Sequence, residues 1–286
     1  MMTTSQHGHP ARVLLVGCGQ VGTELGQQLV AAGSEVYGLR RNPAVLPRTF
    51  HHLAVDLLQP VDQPLPNVEA MVITLTPAMP SSVGTSGYLM ALQHLADALP
   101  RVPDRVVFVS STRVFEGHRS ARPVTEADAV APVSERGETL VAGERLATEL
   151  FGAHIVRPAG IYGPGREMLV RKVLEHEPVQ YARWTNRIHQ TDLARALHLM
   201  LTTDTAPSVV HAIDQTPGVL LGDVVTYIAS RLDVAAPPAI EPAEPSGRVL
   251  SGELLTQLLG SWTYPTYKQG YDQIIAERET KRAPER

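Results

Sequence analysis

The sequence predicts an α/β fold built on a doubly wound parallel sheet, and three observations carry that prediction. Short apolar, β-branched runs recur through the first 160 residues. Amphipathic stretches at helical spacing separate them. The first run ends in glycine and leads straight into a helix pattern. Strands that alternate with helices require a parallel sheet covered on both faces.

The elements follow in order. "RVLLVG", Arg12 to Gly17, reads as a buried strand. "VGTELGQQLVAAG" follows as a helix, with Leu25, Leu29 and Val30 on one face and Gly33 as its stop. "EVYGLR", "HLAVDL", "EAMVITLT" and "DRVVFVSS" are the second to fifth strands. Between the last two, "YLMALQHLADAL" places Leu89, Leu92, Leu95, Ala96 and Leu99 at helical spacing. "PVSERGETLVAGERL" is a further helix, with Glu135, Glu138 and Glu144 as a solvated face, and "HIVRP" is the sixth strand. After Gly160 the rhythm changes: "TDLARALHLMLTT" is a helix, "SVVHAI" a last strand and "LGDVVTYIASRL" another helix. "DVAAPPAIEPAEPSG" is a proline-rich connector, and "AERETKRAPER" a charged helix tip or frayed tail.

Composition excludes several classes. The net charge of −4 comes without a Lys/Arg block of the kind that binds nucleic acid. No run of about 18 apolar residues predicts a membrane span. The start, "MMTTSQHGHPA", lacks the apolar core of a signal peptide and is expected to be a loose tail. A single cysteine, Cys18, fits a reducing, cytoplasmic setting. The histidines are scattered, the "HGH" at 7–9 lies in that tail, and no metal site is expected. The first lysine is Lys172, so no lysine ammonium serves chemistry in the first half.

"GCGQVG" closes the first strand and opens the first helix, the context that makes a G-x-G-x-x-G spacing informative. Gly17 permits the turn, Gly19 lets backbone approach a pyrophosphate, and Gly22 allows close packing. Cys18, Gln20 and Val21 complete the loop and the helix N-terminus that faces the phosphates. NAD selectivity usually needs a carboxylate at the end of the second strand. Here "YGLRRN" offers Arg40 and Arg41, which suit a 2′-phosphate, so NADP(H) is expected over NAD(H). Two solvated arginines would look the same. Asp56, with Leu57 beside it, is placed for the adenine edge, although a turn-starting Asp explains it equally. Thr74 ends the fourth strand and Pro158 the sixth, and both join the expected cofactor set.

"GCGQVG", "VVFVSSTRVFEG", "IVRPAGIYGPGR" and "NRIHQTDLARAL" together resemble the extended and atypical short-chain dehydrogenase/reductases, the NAD-dependent epimerase/dehydratase group. The tail "LLGSWTYPTYKQGY" is similar to that of small atypical members. The resemblance implies a Rossmann-type sheet with a small C-terminal substrate lobe. The expected organisation is a disordered tail over 1–11 and a dinucleotide-binding core over 12–160, completed by about 186–213. The substrate lobe takes 161–185 and 214–272, and a charged tail 273–286. The resemblance places the Ser/Thr role at Ser111, with Thr112 beside it, and a Tyr-x-x-x-Lys pair on the following helix. Homodimers through "YLMALQHLADAL" and that helix are a family habit.

That pair is missing. With Gly137 and Glu144 as anchors, the tyrosine position holds Arg136 and the lysine position Leu140. Arginine stays charged far above neutral pH and cannot exchange a proton there. "YPTYK", Tyr264 to Lys268, spells the motif, but Pro265 argues against the helix it needs. Tyr162 in "GIYGPG" is the candidate replacement acid, though a packed loop aromatic explains it as well. His189 has a useful titration range, or braces the loop before Asp192. Arg113, Arg157 and Arg166 are candidate contacts for an anionic substrate, or anchors for backbone carbonyls. Two functions therefore stand side by side. One is an NADP(H)-dependent oxidoreductase or epimerase-type enzyme with modified acid–base chemistry on a small polar, sugar-like or anionic substrate. The other is a cofactor-sensing binding protein without turnover.

Overall fold

A computed structural model describes residues 9–77, 86–119, 122–240 and 245–282. The first half runs β1 (Arg12–Val16), α1 (Gln20–Ala31), β2 (Glu35–Arg40), β3 (His51–Ala54) and β4 (Ala70–Ile73). It continues through α2 (Gly87–Ala98), β5 (Arg105–Val109), α3 (Glu135–Phe151) and β6 (His154–Pro158). The second half begins with β7 (Gly160–Tyr162), α4 (Met168–Leu174), β8 (Arg183–Thr185), β9 (Arg187–His189) and α5 (Gln190–Thr202). Then come β10 (Val209–Ala212), β11 (Val219–Leu220), α6 (Leu221–Arg231), β12 (Ser246–Gly247), α7 (Glu253–Leu259) and α8 (Tyr267–Arg282).

Seven strands form one sheet in the order β10-β6-β5-β4-β1-β2-β3, a Rossmann-type α/β arrangement. β1 pairs in parallel with both β2 and β4, and it is there that the winding reverses. The reason is visible in the strands: Val13–Val16 and Ala70–Ile73 are apolar and buried on both faces. α2 lays Tyr88, Ala91, Leu92 and Leu95 on this core; of the expected face Leu92 and Leu95 are buried, while Leu89, Ala96 and Leu99 pack against it only partly buried.

Two compact units result. The first takes the chain up to Gly117, with Ala129–Arg157 and Ala194–Val210. The second takes His118–Asp128, Pro158–Leu193 and the chain from His211 on. The second holds a three-stranded sheet, β11-β8-β12, and the parallel pair β7-β9. These strands have two or three residues each, too short for a period to show in sequence. Val170, Val173, Val224, Val225, Ile228 and Ile274 form its apolar cluster.

Four expectations are corrected. Residues 9–11 are not loose: the Ser34 hydroxyl donates to the Pro10 carbonyl at 2.6 Å, and the Glu35 N–H to Ala11 at 2.7 Å. Residues 1–8 lie outside the described residues. The segment from 273 is not a tail, because α8 runs to Arg282 and buries Tyr271, Ile274 and Ile275. The connector contains β12, and its residues 241–244 lie outside the described residues. Glu144 is not on a solvated face but 7% exposed. Tyr264 precedes α8 while Lys268 lies inside it, so the two do not share a helical turn.

Candidate active site

The glycine loop sits at the carboxyl end of β1, beside the reversal of the sheet. Gly17 has φ +73°, and a Cβ there would press at 3.2 Å on the Thr74–Leu75 backbone. The N–H groups of Gly17 and Cys18 donate to the Leu39 carbonyl. The Thr74 hydroxyl donates to the carbonyls of Val16 and Gly17, both at 3.0 Å, and ties β4 to the loop. α1 then begins with no side-chain cap and no acid in its first turn. Such an end presents free N–H groups and a partial positive charge to an anion.

A cavity of about 630 Å³ opens here, within the first unit. Gly17, Cys18, Gly19, Arg40, Arg41, Asp56, Leu57 and Thr74 line it. A Cβ on Gly19 would meet nothing nearer than the Gly17 carbonyl at 3.8 Å, so that side of the loop is open to a phosphate. The Arg40 guanidinium donates to the Cys18 carbonyl at 3.1 Å, and Arg41 is exposed. Asp56 accepts the Leu58 N–H at 3.1 Å, the turn-starting role, while also facing the cavity. The loop geometry, the open Gly19 and the cationic rim fit a dinucleotide. Gln20, Val21 and Gly22 belong to α1 outside the lining, and Pro158 closes β6 in the second unit. Burial pushes the Cys18 thiol up to about 11, against the pull of Thr23 and Arg40, so it stays protonated.

Ser111 caps the 3-10 turn Thr112–Phe115 at the carboxyl end of β5, accepting the Arg113 N–H at 3.2 Å. Thr112 opens that turn half-buried, and Arg113 is exposed. On α3, Arg136 is exposed and Leu140 buried, so no phenol or ammonium stands at either position. Arg166 is exposed, and its backbone N–H donates to Gly163.

Three candidate residues have other roles. Arg157 is 6% exposed and makes a forked pair with Glu144, at 2.9 and 2.7 Å. Its guanidinium also lies 5.1 Å from the Phe115 ring centroid. Its Nε and Nη2 are engaged by the Glu144 carboxylate inside the first unit, and its burial suits a structural ion pair better than a substrate contact. Tyr162 is 4% exposed, donates weakly to the Thr266 carbonyl at 3.4 Å and stacks on Tyr271. Burial above all pushes its phenol far up, which rules out proton exchange near neutrality. His189 is 1% exposed, and its Nδ1 accepts the Thr191 N–H at 3.2 Å. Burial pushes it down to about 4, so it is neutral and braces the loop.

Sequence reasoning missed the partner of Arg157. A charge inside the apolar run "HIVRP" was a usable signal, because a buried cation needs a partner. It also missed Asp214, 1% exposed, whose Oδ1 accepts the Thr216 N–H and hydroxyl. Burial pushes this carboxyl up to about 7, against Thr216 and the Arg187 charge. A folded pKa above the unfolded value of 3.8 means the folded chain holds its proton longer. Stability is therefore lost as pH rises from about 4 to about 7, by at most about 4 kcal/mol. Asp214→Asn is expected to remove that loss. Urea unfolding at pH 4.5 and 7.5 checks it: equal slopes for the two proteins would contradict the assignment.

The fold and the loop define a class, the Rossmann-type α/β proteins with a glycine phosphate loop. Residues 89–206 match the family model of the RmlD substrate binding domain. A dTDP-4-dehydrorhamnose reductase from Mycobacterium tuberculosis is 26% identical over 226 residues, covering 73% of this chain and 71% of that protein. A solved structure from Methylobacillus flagellatus, assigned to the NAD-dependent epimerase/dehydratases, is 27% identical. It covers 94% of this chain and 99% of its own, with a TM-score of 0.75. The UDP-glucuronic acid 4-epimerase of Bacillus cereus, solved with NAD, is 19% identical and shares the fold. Its TM-score is 0.72, over 93% of this chain and 99% of that one. These likenesses are consistent with a protein of the extended short-chain dehydrogenase/reductase type.

Proposed function

We propose that the chain is an NADP(H)-dependent enzyme that reduces, epimerises or dehydrates a nucleotide-activated sugar. One observation carries the reading: the cavity at the uncapped α1 has two arginines on its rim, Arg40 and Arg41. Its single carboxylate, Asp56, is drawn into a turn. Relatives named as a sugar-nucleotide reductase and a sugar-nucleotide epimerase support the enzyme class and the substrate class. A nicotinamide dinucleotide supplies the hydride when bound. The chain supplies the rest. The glycine loop holds pyrophosphate, Arg40 and Arg41 take a 2′-phosphate, Ser111 donates to a substrate oxygen, and Arg113 faces an anionic group.

Arg136 and Leu140 cannot provide the usual proton route, and Tyr162 and His189 are buried away from one. Proton exchange in this reading runs through water or the substrate. Arg40→Ala is expected to weaken NADPH binding by about 10- to 100-fold, the worth of a charge-assisted contact. NADH affinity should change by less than about threefold. Isothermal titration with both cofactors measures this, and equal losses for both would contradict a 2′-phosphate contact. A screen of nucleotide sugars that follows NADPH absorbance then tests the enzyme. Tight NADPH binding with no turnover of any sugar is the result expected of a cofactor-sensing protein, which the missing Tyr/Lys pair favours.

A further inference from the structure

One acidic side chain joins two elements of the candidate active site and has no part in the reading above. Glu116 follows the 3-10 turn that Ser111 caps. Its Oε2 accepts the Ser134 N–H at 3.0 Å and the Ser134 hydroxyl at 2.6 Å. Its Oε1 accepts from the Arg113 guanidinium. Ser134 is the N-cap of α3 and accepts the Gly137 N–H at 3.1 Å. A Cβ on Gly137 would lie 3.0 Å from the same carboxylate, so the bare glycine gives it room. Burial alone would raise the Glu116 pKa, but the two Ser134 donors and Arg113 outweigh it and hold the carboxyl below its ordinary value. The group is an anion fixed between the turn and the helix.

Arg113 is anchored on one edge only: 46% of its side chain is exposed. A guanidinium already held by one carboxylate loses less freedom when its remaining N–H groups take a second anion. We propose that Glu116 is a positioning residue: it fixes the Arg113 guanidinium directly, and ties the turn that Ser111 caps, whose hydroxyl accepts the Arg113 N–H, to the first turn of α3, so that Ser111 and Arg113 both meet an anionic oxygen of the substrate. This rests on the nucleotide-sugar reading above.

Two variants separate the two arms. Glu116→Gln keeps an acceptor for Ser134 but sets an amide NH₂ against Arg113. On the sugar that the screen identifies, its KM is expected to rise about tenfold, with kcat within about threefold. Glu116→Ala also frees the turn, and kcat should fall by about tenfold. NADPH affinity should stay within about twofold in both. The Arg113 guanidinium signals in a ¹⁵N NMR spectrum should shift in both variants, whether or not any sugar is turned over. A shift without turnover upholds the clamp and removes the nucleotide sugar as its ligand. Unchanged Arg113 signals together with an unchanged KM in Glu116→Gln would overturn the proposal.

Discussion

Gly19→Asp is expected to abolish dinucleotide binding, by about a hundredfold or more, and to leave the fold intact. The added Cβ has space, since its nearest neighbour is the Gly17 carbonyl at 3.8 Å. The carboxylate would project into the cavity that Gly19 lines, against the phosphates the uncapped α1 is suited to hold. A hundredfold loss is about 2.7 kcal/mol, which two like charges in a partly enclosed site supply. Unfolding midpoints equal to those of the parent, alongside lost binding, are the predicted pair of results. A variant that still binds NADPH tightly would show that the loop does not face the phosphates.

The second large effect lies in the core. Glu144→Gln is expected to destabilise the chain by about 3–5 kcal/mol, because it leaves the Arg157 charge buried without its forked partner. Replacing both residues with apolar ones of similar volume, as in Glu144→Leu with Arg157→Met, should cost much less. The pair ties α3 to β6, and the Arg157 guanidinium lies on the ring of Phe115, the last residue of the 3-10 turn that Ser111 caps, so loss of the pair is also expected to loosen that turn. Urea denaturation of the single and double variants measures the difference. A Gln variant within about 1 kcal/mol of the parent would mean that water reaches Arg157 and that the pair is not dry.

These residues also show what a sequence can and cannot disclose. The β1–α1–β2 unit was legible because apolar runs and three spaced glycines are local signals. α2, α5 and α6 were legible from their spacing for the same reason. Glu144 and Arg157 stand 13 residues apart, and no periodicity links them. Glu116 reads as an ordinary acid after a strand until Ser134, 18 residues on, is seen to donate to it. Tyr162 and His189 carry the right chemistry, and only burial excludes them as acids. Position in the sequence near a glycine-rich turn did not report that. The small strands β8, β11 and β12 escaped because two or three residues cannot set up an alternation.

The most direct test of the account is a fluorescence titration of the purified protein with NADPH and NADH side by side. Both are expected to bind, with NADPH at least about tenfold tighter if, as proposed, the Arg40 and Arg41 that line the cavity take its 2′-phosphate. Binding of NADH alone, or of neither, would contradict the account.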